Sequence, residues 1–256
     1  KLACNRAQSN VEISLEPRLA SLQSMPLNMH SVLMMNSWEA RVANIQSLPI
    51  LLKELRLGAI AKQWQNMAHK AEKENWSPQE FLAQLCDLEA THRYENKLKR
   101  LLRDSQLPRG KQLSQYDFGE ISGVQPHQIK QKIEQLDWVR QGHNLLIFGA
   151  SGLGKTHLAA AIGYGLIERS VKVKFIAATA LAQQLQKSRE QLSIEAELKR
   201  LDKYELLIVD DIGYIKPTDS EGQVLFELIA HRYERGSLII TSNQAFSDWD
   251  SIFGDN

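Results

Sequence analysis

Three short stretches of this chain hold residue types at spacings suited to phosphate and metal chemistry. The first is Gly149, Ala150, Ser151, Gly152, Leu153, Gly154, Lys155 and Thr156, entered directly from the apolar run Leu145 to Phe148. Glycines at 149, 152 and 154 let a backbone curl around an anion and turn its N–H groups inward. A helix beginning at Lys155 would add the positive end of its dipole. In such a loop the Lys155 ammonium reaches the β- and γ-phosphates of a nucleotide and the Thr156 hydroxyl holds Mg²⁺. His157, the next residue, is expected near the nucleotide as a helix residue, without a role as base. The second stretch is Leu-Leu-Ile-Val-Asp-Asp, ending in Asp210 and Asp211 about 55 residues after Lys155. Two adjacent acids at the carboxyl end of an apolar strand repel each other unless a cation sits there, and that end of an open α/β sheet is where ligands bind. Asp210 is assigned to Mg²⁺ and Asp211 to orienting the attacking water. The third stretch, Ser237 to Asn243, is apolar and ends in Thr241, Ser242 and Asn243. Asn243 is placed to bridge the acid and the γ-phosphate through water.

These side chains need a sheet to bring them together, and the hydrophobic pattern supplies one. From Asn144 onward, short apolar runs (145–148, 171–178, 206–211, 237–243) alternate with helical patterns. That alternation predicts a parallel sheet with helices on both faces. Before it the period is helical. Leu48, Leu51, Leu52, Leu55, Ala59 and Ala61 recur at spacings near three and four, which predicts one amphipathic helix or a pair of short ones. Ser77, Pro78 and Glu80 form a helix-start signal, and Pro108 and Gly110 end that helix after about Asp104. One further helix is predicted from His127 to Gly142. Residues 1–45 show no sustained period and are expected to be a poorly ordered leader. The predicted organisation is a leader over 1–45, a helical N-terminal domain over 46–140 and an α/β domain over 141–256.

Composition agrees with a globular chain. Of 256 residues, 43% are hydrophobic and 24% charged, and the net charge is +1, so bulk charge does not point to nucleic acid. Two distant cysteines, Cys4 and Cys86, make no metal spacing and no disulfide framework. No apolar run approaches a membrane span, and residues 1–28 lack a signal-peptide pattern, so a cytoplasmic protein is expected.

Taken in order, GASGLGKTHLA, LLIVDDIGY, HRYERGSLIITSN and FSDWDSIFGD resemble the ATP-binding proteins of the IstB type, relatives of the DnaC helicase loader within the AAA+ ATPases. LLKELRLGAIAKQW and FLAQLCDLEATHRYENKLKRLL are similar to that family's N-terminal helices, so the resemblance covers about residues 46–256. It implies an α/β fold, a P-loop AAA+ parallel sheet preceded by an all-helical N-terminal domain. It implies ATP and Mg²⁺ as ligands and a role as helper in DNA transposition. Its implied partners are duplex DNA bound without sequence preference, the transposase of the same insertion sequence, and further copies of the chain assembled with ATP. On the family pattern Lys155 and Thr156 bind nucleotide, Asp210 and Asp211 form the Mg²⁺ and hydrolysis pair, and Asn243 is the first sensor. The family pattern continues past the sensor strand with a further helix, a fifth strand and an arginine that completes a neighbour's site. The sequence stops at Asn256 before these, which leads to the expectation of a truncated sheet with four core strands and leaves turnover by this chain open. Arg232 and Arg235 precede the sensor strand and are read as surface charges.

Residues 92–111 contain seven Lys or Arg and two acids, and on a helix Arg93, Lys97 and Arg100 fall near one face. Such a run is either a solvated helix face or a surface that tracks a phosphate backbone, and the resemblance favours the second. Competing readings are a small-molecule kinase, a DnaC-like helicase loader, and an ATP-binding fragment without turnover. A GTPase is excluded by the absence of an Asn-Lys-x-Asp guanine reader.

Overall fold

In a computed structural model, residues 45–119, 125–215, 219–245 and 249 are described. The expected leader lies outside them but for Ile45. Contacts gather the chain into two compact units, Lys1–Ser77 and Pro78–Asn256. In the first, a 3₁₀ turn at Ile45–Ser47 leads into α1 (Leu48–Glu54) and α2 (Gly58–Glu74). The leucine pattern therefore resolves into a pair of helices. Arg56, with φ of 57°, breaks the run between them. α2 ends at Asn75, which takes the left-handed conformation and returns its N–H to the Ala71 carbonyl. Leu52, Ala59 and Ile60 are buried.

The second unit begins with α3 (Pro78–Ser105), followed by a 3₁₀ turn at Leu113–Gln115, α4 (Pro126–Glu134) and α5 (Asp137–Arg140). The single helix expected over 127–142 is thus split. Gln135 is extended, and the Trp138 indole N–H turns back to the Lys132 carbonyl at 2.8 Å. Then come β1 (Leu145–Phe148), α6 (Lys155–Glu168), β2 (Val173–Ala177), α7 (Ala178–Glu190), α8 (Ile194–Leu201), β3 (Leu206–Asp210), α9 (Asp219–Arg232) and β4 (Ser237–Ser242). Among the described residues the strands form one four-stranded sheet in the order β1-β4-β3-β2, and every neighbouring pair is parallel. The central strands β3 and β4 are buried along their whole length. Their continuous apolar runs are what a strand covered on both faces requires.

Alternate residues of those strands feed two cores. On one face Ile208 and Ile239 pack with Leu158, Ile162 and Leu166 of α6 and with Leu101, Ile129, Ile133 and Trp138. On the other, Leu207, Val209, Leu238 and Ile240 pack with Leu181, Leu185, Leu198 and Leu228. The first core spans the position 140/141 at which the sequence suggested a border. Helices α3, α4 and α5 bury their apolar residues in the same core as the sheet, so the border between compact units falls at 77/78. Gly165 lets α4 lie close against α6, since a Cβ there would stand 2.7 Å from Ile133 Cγ2. Among the described residues no helix is long and apolar enough to cross a membrane.

Arg232 is not the surface charge expected from its position. It is 1% exposed. Its guanidinium donates to the carbonyls of Leu201 at 3.2 Å, Tyr204 at 3.0 Å and Ser237 at 3.3 Å, with an Asp202 carboxylate oxygen at 3.7 Å. Those carbonyls belong to the end of α8, the turn into β3 and the start of β4, where backbone acceptors would otherwise be buried without donors. Burial pushes the Arg232 pKa down, and Asp202 acts against that shift. Arg235 is exposed, as expected. Arg232→Met should lower the unfolding free energy by about 3 kcal/mol, because the carbonyls lose their donor in a buried place. Arg235→Met should change it by less than about 0.5 kcal/mol. Denaturant melts of the two variants check this, and equal midpoints would refute the structural role given to Arg232.

Candidate functional site

The loop between β1 and α6 has the backbone that its glycines foretell. Gly152 and Gly154 have φ of 88° and 79°. At Gly154 a side chain would also meet the Tyr116 ring at 3.2 Å, so both conformation and space select glycine there. Lys155 opens α6 and is buried, with its ammonium donating to the Ala150 carbonyl at 3.0 Å across the loop. The Gly149 N–H is tied to the Ser242 carbonyl at 3.2 Å, which joins the loop to the end of β4. Ser151 and Gly152 are exposed, and Leu153 projects outward at 47% exposure.

Asp210 ends β3 beside this loop. Its carboxylate accepts the Thr156 hydroxyl at 3.0 Å on one oxygen and the Thr241 hydroxyl at 2.7 Å on the other. Thr241 Oγ1 in turn accepts the Asp211 N–H at 2.8 Å. One hydroxyl from β4 therefore holds both acidic residues, one by its side chain and one by its backbone. That hold keeps Asp211 in the left-handed region, with φ of 57°. Burial and the neighbouring Asp210 charge push the Asp211 carboxyl above the ordinary carboxylate range, while Lys155 acts in the opposite direction. The donor set is one of hard oxygens. With Mg–O distances of 2.0–2.1 Å, neighbouring ligands of an octahedral ion lie about 2.9 Å apart. The 3.0 Å between Thr156 Oγ1 and Asp210 Oδ2 matches that spacing, so the residues fit a magnesium ion.

A cleft of about 280 Å³ opens over these groups, lined by Lys111, Ser151, Gly152, Gly154, Lys155, Thr156, His157, Asp211 and Tyr214. Its lining is mostly polar and includes two lysines, Lys111 and Lys155, and one acid, Asp211. Asp210 lies behind Thr156 and does not line the cleft. Asn243 is set back as well, packed against Gly213 in the turn after Asp211. Among the described residues the buried Asn243 Oδ1 has no hydrogen-bond partner. His157 points its ring to the segment before β1, with Nε2 3.2 Å from the Gln112 carbonyl and an edge contact to Tyr116 at 5.1 Å. A second cavity of similar size, about 270 Å³ between α4 and α6, gathers Ile133, Tyr164 and Gly165, with Lys130 and Arg169 matched by Glu134 and Glu168, and no residue of the glycine loop lines it.

Sequence reasoning missed three contributors. Lys111 adds a second lysine to the cleft from a segment remote in sequence. Tyr116 lies over the loop at Gly154 and stacks edge-on with Phe118 at 4.7 Å. Thr241 was visible as a polar strand end, but its hold on Asp210 depends on the pairing of β3 with β4. Of the residues read as a basic helix face, Arg93 pairs with Glu89 at 2.9 Å, while Lys97 and Arg100 are exposed. Tyr94 donates its hydroxyl to the Glu168 carbonyl, and Leu98 and Leu101 face the core.

A family model described as IstB-like ATP binding protein matches residues 50–256. An insertion-sequence ATP-binding protein of Sinorhizobium fredii is 40% identical over 208 residues, spanning 81% of this chain and 70% of its own. An insertion-sequence IS5376 ATP-binding protein of Geobacillus stearothermophilus is 35% identical, spanning 79% of this chain and 80% of its own. Among solved structures, the DnaC helicase loader superposes with a TM-score of 0.51 at 23% identity, over 57% of this chain and 88% of that one. That likeness shows a shared fold, the P-loop AAA+ sheet.

Thr241→Val keeps the shape of the side chain and removes the hydroxyl. It should lower the unfolding free energy by about 1–3 kcal/mol, measured by denaturant melts, and an unchanged midpoint would refute the role given to Thr241. A second expectation concerns pH. With its pKa raised by folding, Asp211 holds its proton more tightly in the folded state than in the unfolded chain. Its ionisation costs stability as pH rises through the folded value, and that cost is absent below the unfolded value. Asp211→Asn should therefore melt higher than the parent at neutral pH, with the gap closing as pH falls toward the ordinary carboxylate range. A gap that widens on acidification would refute it.

Proposed function

Because this chain belongs to the family of IstB-like ATP binding proteins, we propose that it binds ATP with Mg²⁺ at loop 149–156 and serves as an ATP-hydrolysing helper of DNA transposition. The observation that carries this reading is the Thr156–Asp210–Thr241 chain of hydrogen bonds. It sets a hard-oxygen pair beside a glycine loop and a buried lysine.

Each residue then has a task that its surroundings support. The N–H groups of 150–156 and the start of α6 receive the phosphates, with Ala150, Ser151 and Leu153 contributing backbone. Lys155 leaves the Ala150 carbonyl for the β- and γ-phosphates. Thr156 and Asp210 would hold Mg²⁺, which supplies neutralising charge at the phosphate oxygens when bound. Asp211 faces the cleft from the next position and orients the attacking water. Asn243, with an unpartnered oxygen near that turn, senses the γ-phosphate through water. His157 positions the segment after α3 through the Gln112 carbonyl and is given no role as a base. Tyr116, lying over Gly154, shields the loop from water.

The same reading extends to partners. Duplex DNA is bound through its backbone, with Arg93, Lys97 and Arg100 of α3 as contacts, and with no base reading. The transposase of the same insertion sequence is the protein partner, and copies of this chain assemble in the presence of ATP. The names of the relatives, insertion-sequence ATP-binding proteins, support the transposition setting.

Nucleotide binding and turnover, measured with and without duplex DNA, test this function. Lys155→Ala should lose nucleotide binding. Asp211→Asn should bind ATP with the parent's affinity and lose turnover by about 100-fold or more. Normal ATP binding by Lys155→Ala would sink the site assignment, and parent-level turnover by Asp211→Asn would remove Asp211 from the chemistry.

A further inference from the structure

At the amino ends of the strands, away from the phosphate loop, three segments distant in sequence converge. Arg100, Leu101 and Asp104 come from α3, Lys172 and Val173 from the start of β2, and Lys203 and Tyr204 from the turn between α8 and β3. Together they line an open groove of about 360 Å³. Arg100, Lys172 and Lys203 are exposed, and among the described residues none has a carboxylate within ion-pairing distance. Of the described lining residues the acid is Asp104, already engaged by Arg103 at 3.1 Å, and the neighbouring Glu205 carboxylate is taken up by the backbone N–H of Lys172 at 3.0 Å. Tyr204 forms an aromatic wall, with the Lys174 ammonium 5.8 Å from its ring centre. Lys174 is held by Gln106 at 2.6 Å, a neutral partner. Burial, and then the nearby charge of Arg200, push the Lys174 pKa down, while Asp104 acts in the opposite direction.

This cluster differs from an ordinary charged helix face. A solvated face is local in sequence and its charges alternate in sign along the helix, as the Glu95–Lys99 and Glu195–Lys199 pairs do elsewhere in this chain. Here the fold brings unpaired cations together from three segments, which costs repulsion in the free protein and is relieved by a polyanion. The nucleotide cleft lies at the carboxyl ends of the strands, so this groove serves a different anion. It continues the exposed Lys97–Arg100 edge of α3. Closely spaced charge along an open groove with an aromatic side is suited to a phosphate backbone, which carries about one charge per 1.7 Å of duplex.

We infer that the groove formed by Arg100, Lys172 and Lys203 seats the phosphodiester backbone of duplex DNA. It rests on the proposed duplex binding and moves the contact from one face of α3 to a surface built by α3, β2 and the α8–β3 turn. Arg93, neutralised by Glu89, is a minor contributor to it.

The test is binding of a fluorescent duplex of arbitrary sequence across about 50–200 mM salt. The parent is compared with the combined variant Arg100→Gln, Lys172→Gln and Lys203→Gln. A second combined variant, Lys130→Gln, Lys132→Gln and Arg140→Gln, removes the same charge from exposed positions on α4 and α5. Thermal melts and ATP affinity check that all three proteins are folded. The groove variant should lower the slope of log affinity against log salt by about 3, and the α4–α5 variant should leave it near the parent's. If the parent itself fails to bind duplex, the DNA reading under the proposed function falls and this inference with it. If the parent binds and the groove variant keeps its slope, the inference alone is overturned. Equal losses in both variants would mean a bulk charge effect and would also overturn it. So would competition by polyglutamate equal to that of DNA at matched charge, which would point to an acidic protein.

Discussion

Asp210 and Asp211 are neighbours at the end of a buried strand, and the arrangement around them answers their mutual repulsion. Asp210 receives two hydroxyls, one from the helix that follows the phosphate loop and one from the adjacent strand. Asp211 is turned away from it by a left-handed backbone and is held there through its N–H. The same hydroxyls give Asp210 the position a cation ligand needs. A β3 strand displaced by one residue would put Asp210 on the wrong face of the sheet and lose both bonds.

Everything around that pair serves to keep β3 and β4 in register. The two strands are buried throughout and feed both cores, so a one-residue slip would exchange their side chains between the cores and break the packing on each face at once. Arg232 secures the far end of the same strands by donating to the carbonyls of Leu201, Tyr204 and Ser237. Ser237 adds hydrogen bonds to the carbonyls of Trp138 and Val139, which tie β4 to the helices before β1. The site at the carboxyl ends and the basic groove at the amino ends are therefore properties of one rigid sheet. Its helical cover explains why residues 78–140 belong with it.

Much of the site was legible because its chemistry is local in sequence. The glycines, Lys155 and Thr156 lie within eight positions, and a strand before them with a helix after them is enough to define the loop. Asp210 stood out as a candidate because it ends an apolar strand beside a second acid, and the structure sets the Thr156 and Thr241 hydroxyls on it. The pair of helices in the first unit, the helix from Pro78 and the four strands followed from periodicity and turn residues. Gln135 was not read as a helix break, because nothing in its type forbids a helix; Trp138 folding back onto Lys132 makes the break. Arg232 looked like one more charge near a helix end, and only the carbonyls around it reveal it as a buried donor.

By itself, then, the sequence determined the glycine loop between strand and helix, the acidic strand end, the parallel α/β fold and the family, since each rests on short-range pattern or on the order of motifs. The tertiary structure alone decided which hydroxyls hold Asp210, that Lys111 and Tyr116 reach the loop, where the compact units divide, and that Lys172 and Lys203 stand beside Arg100. Those contacts join residues tens of positions apart. Their existence depends on strand order and register, which arise when two faces of a sheet are buried together and not from any one segment.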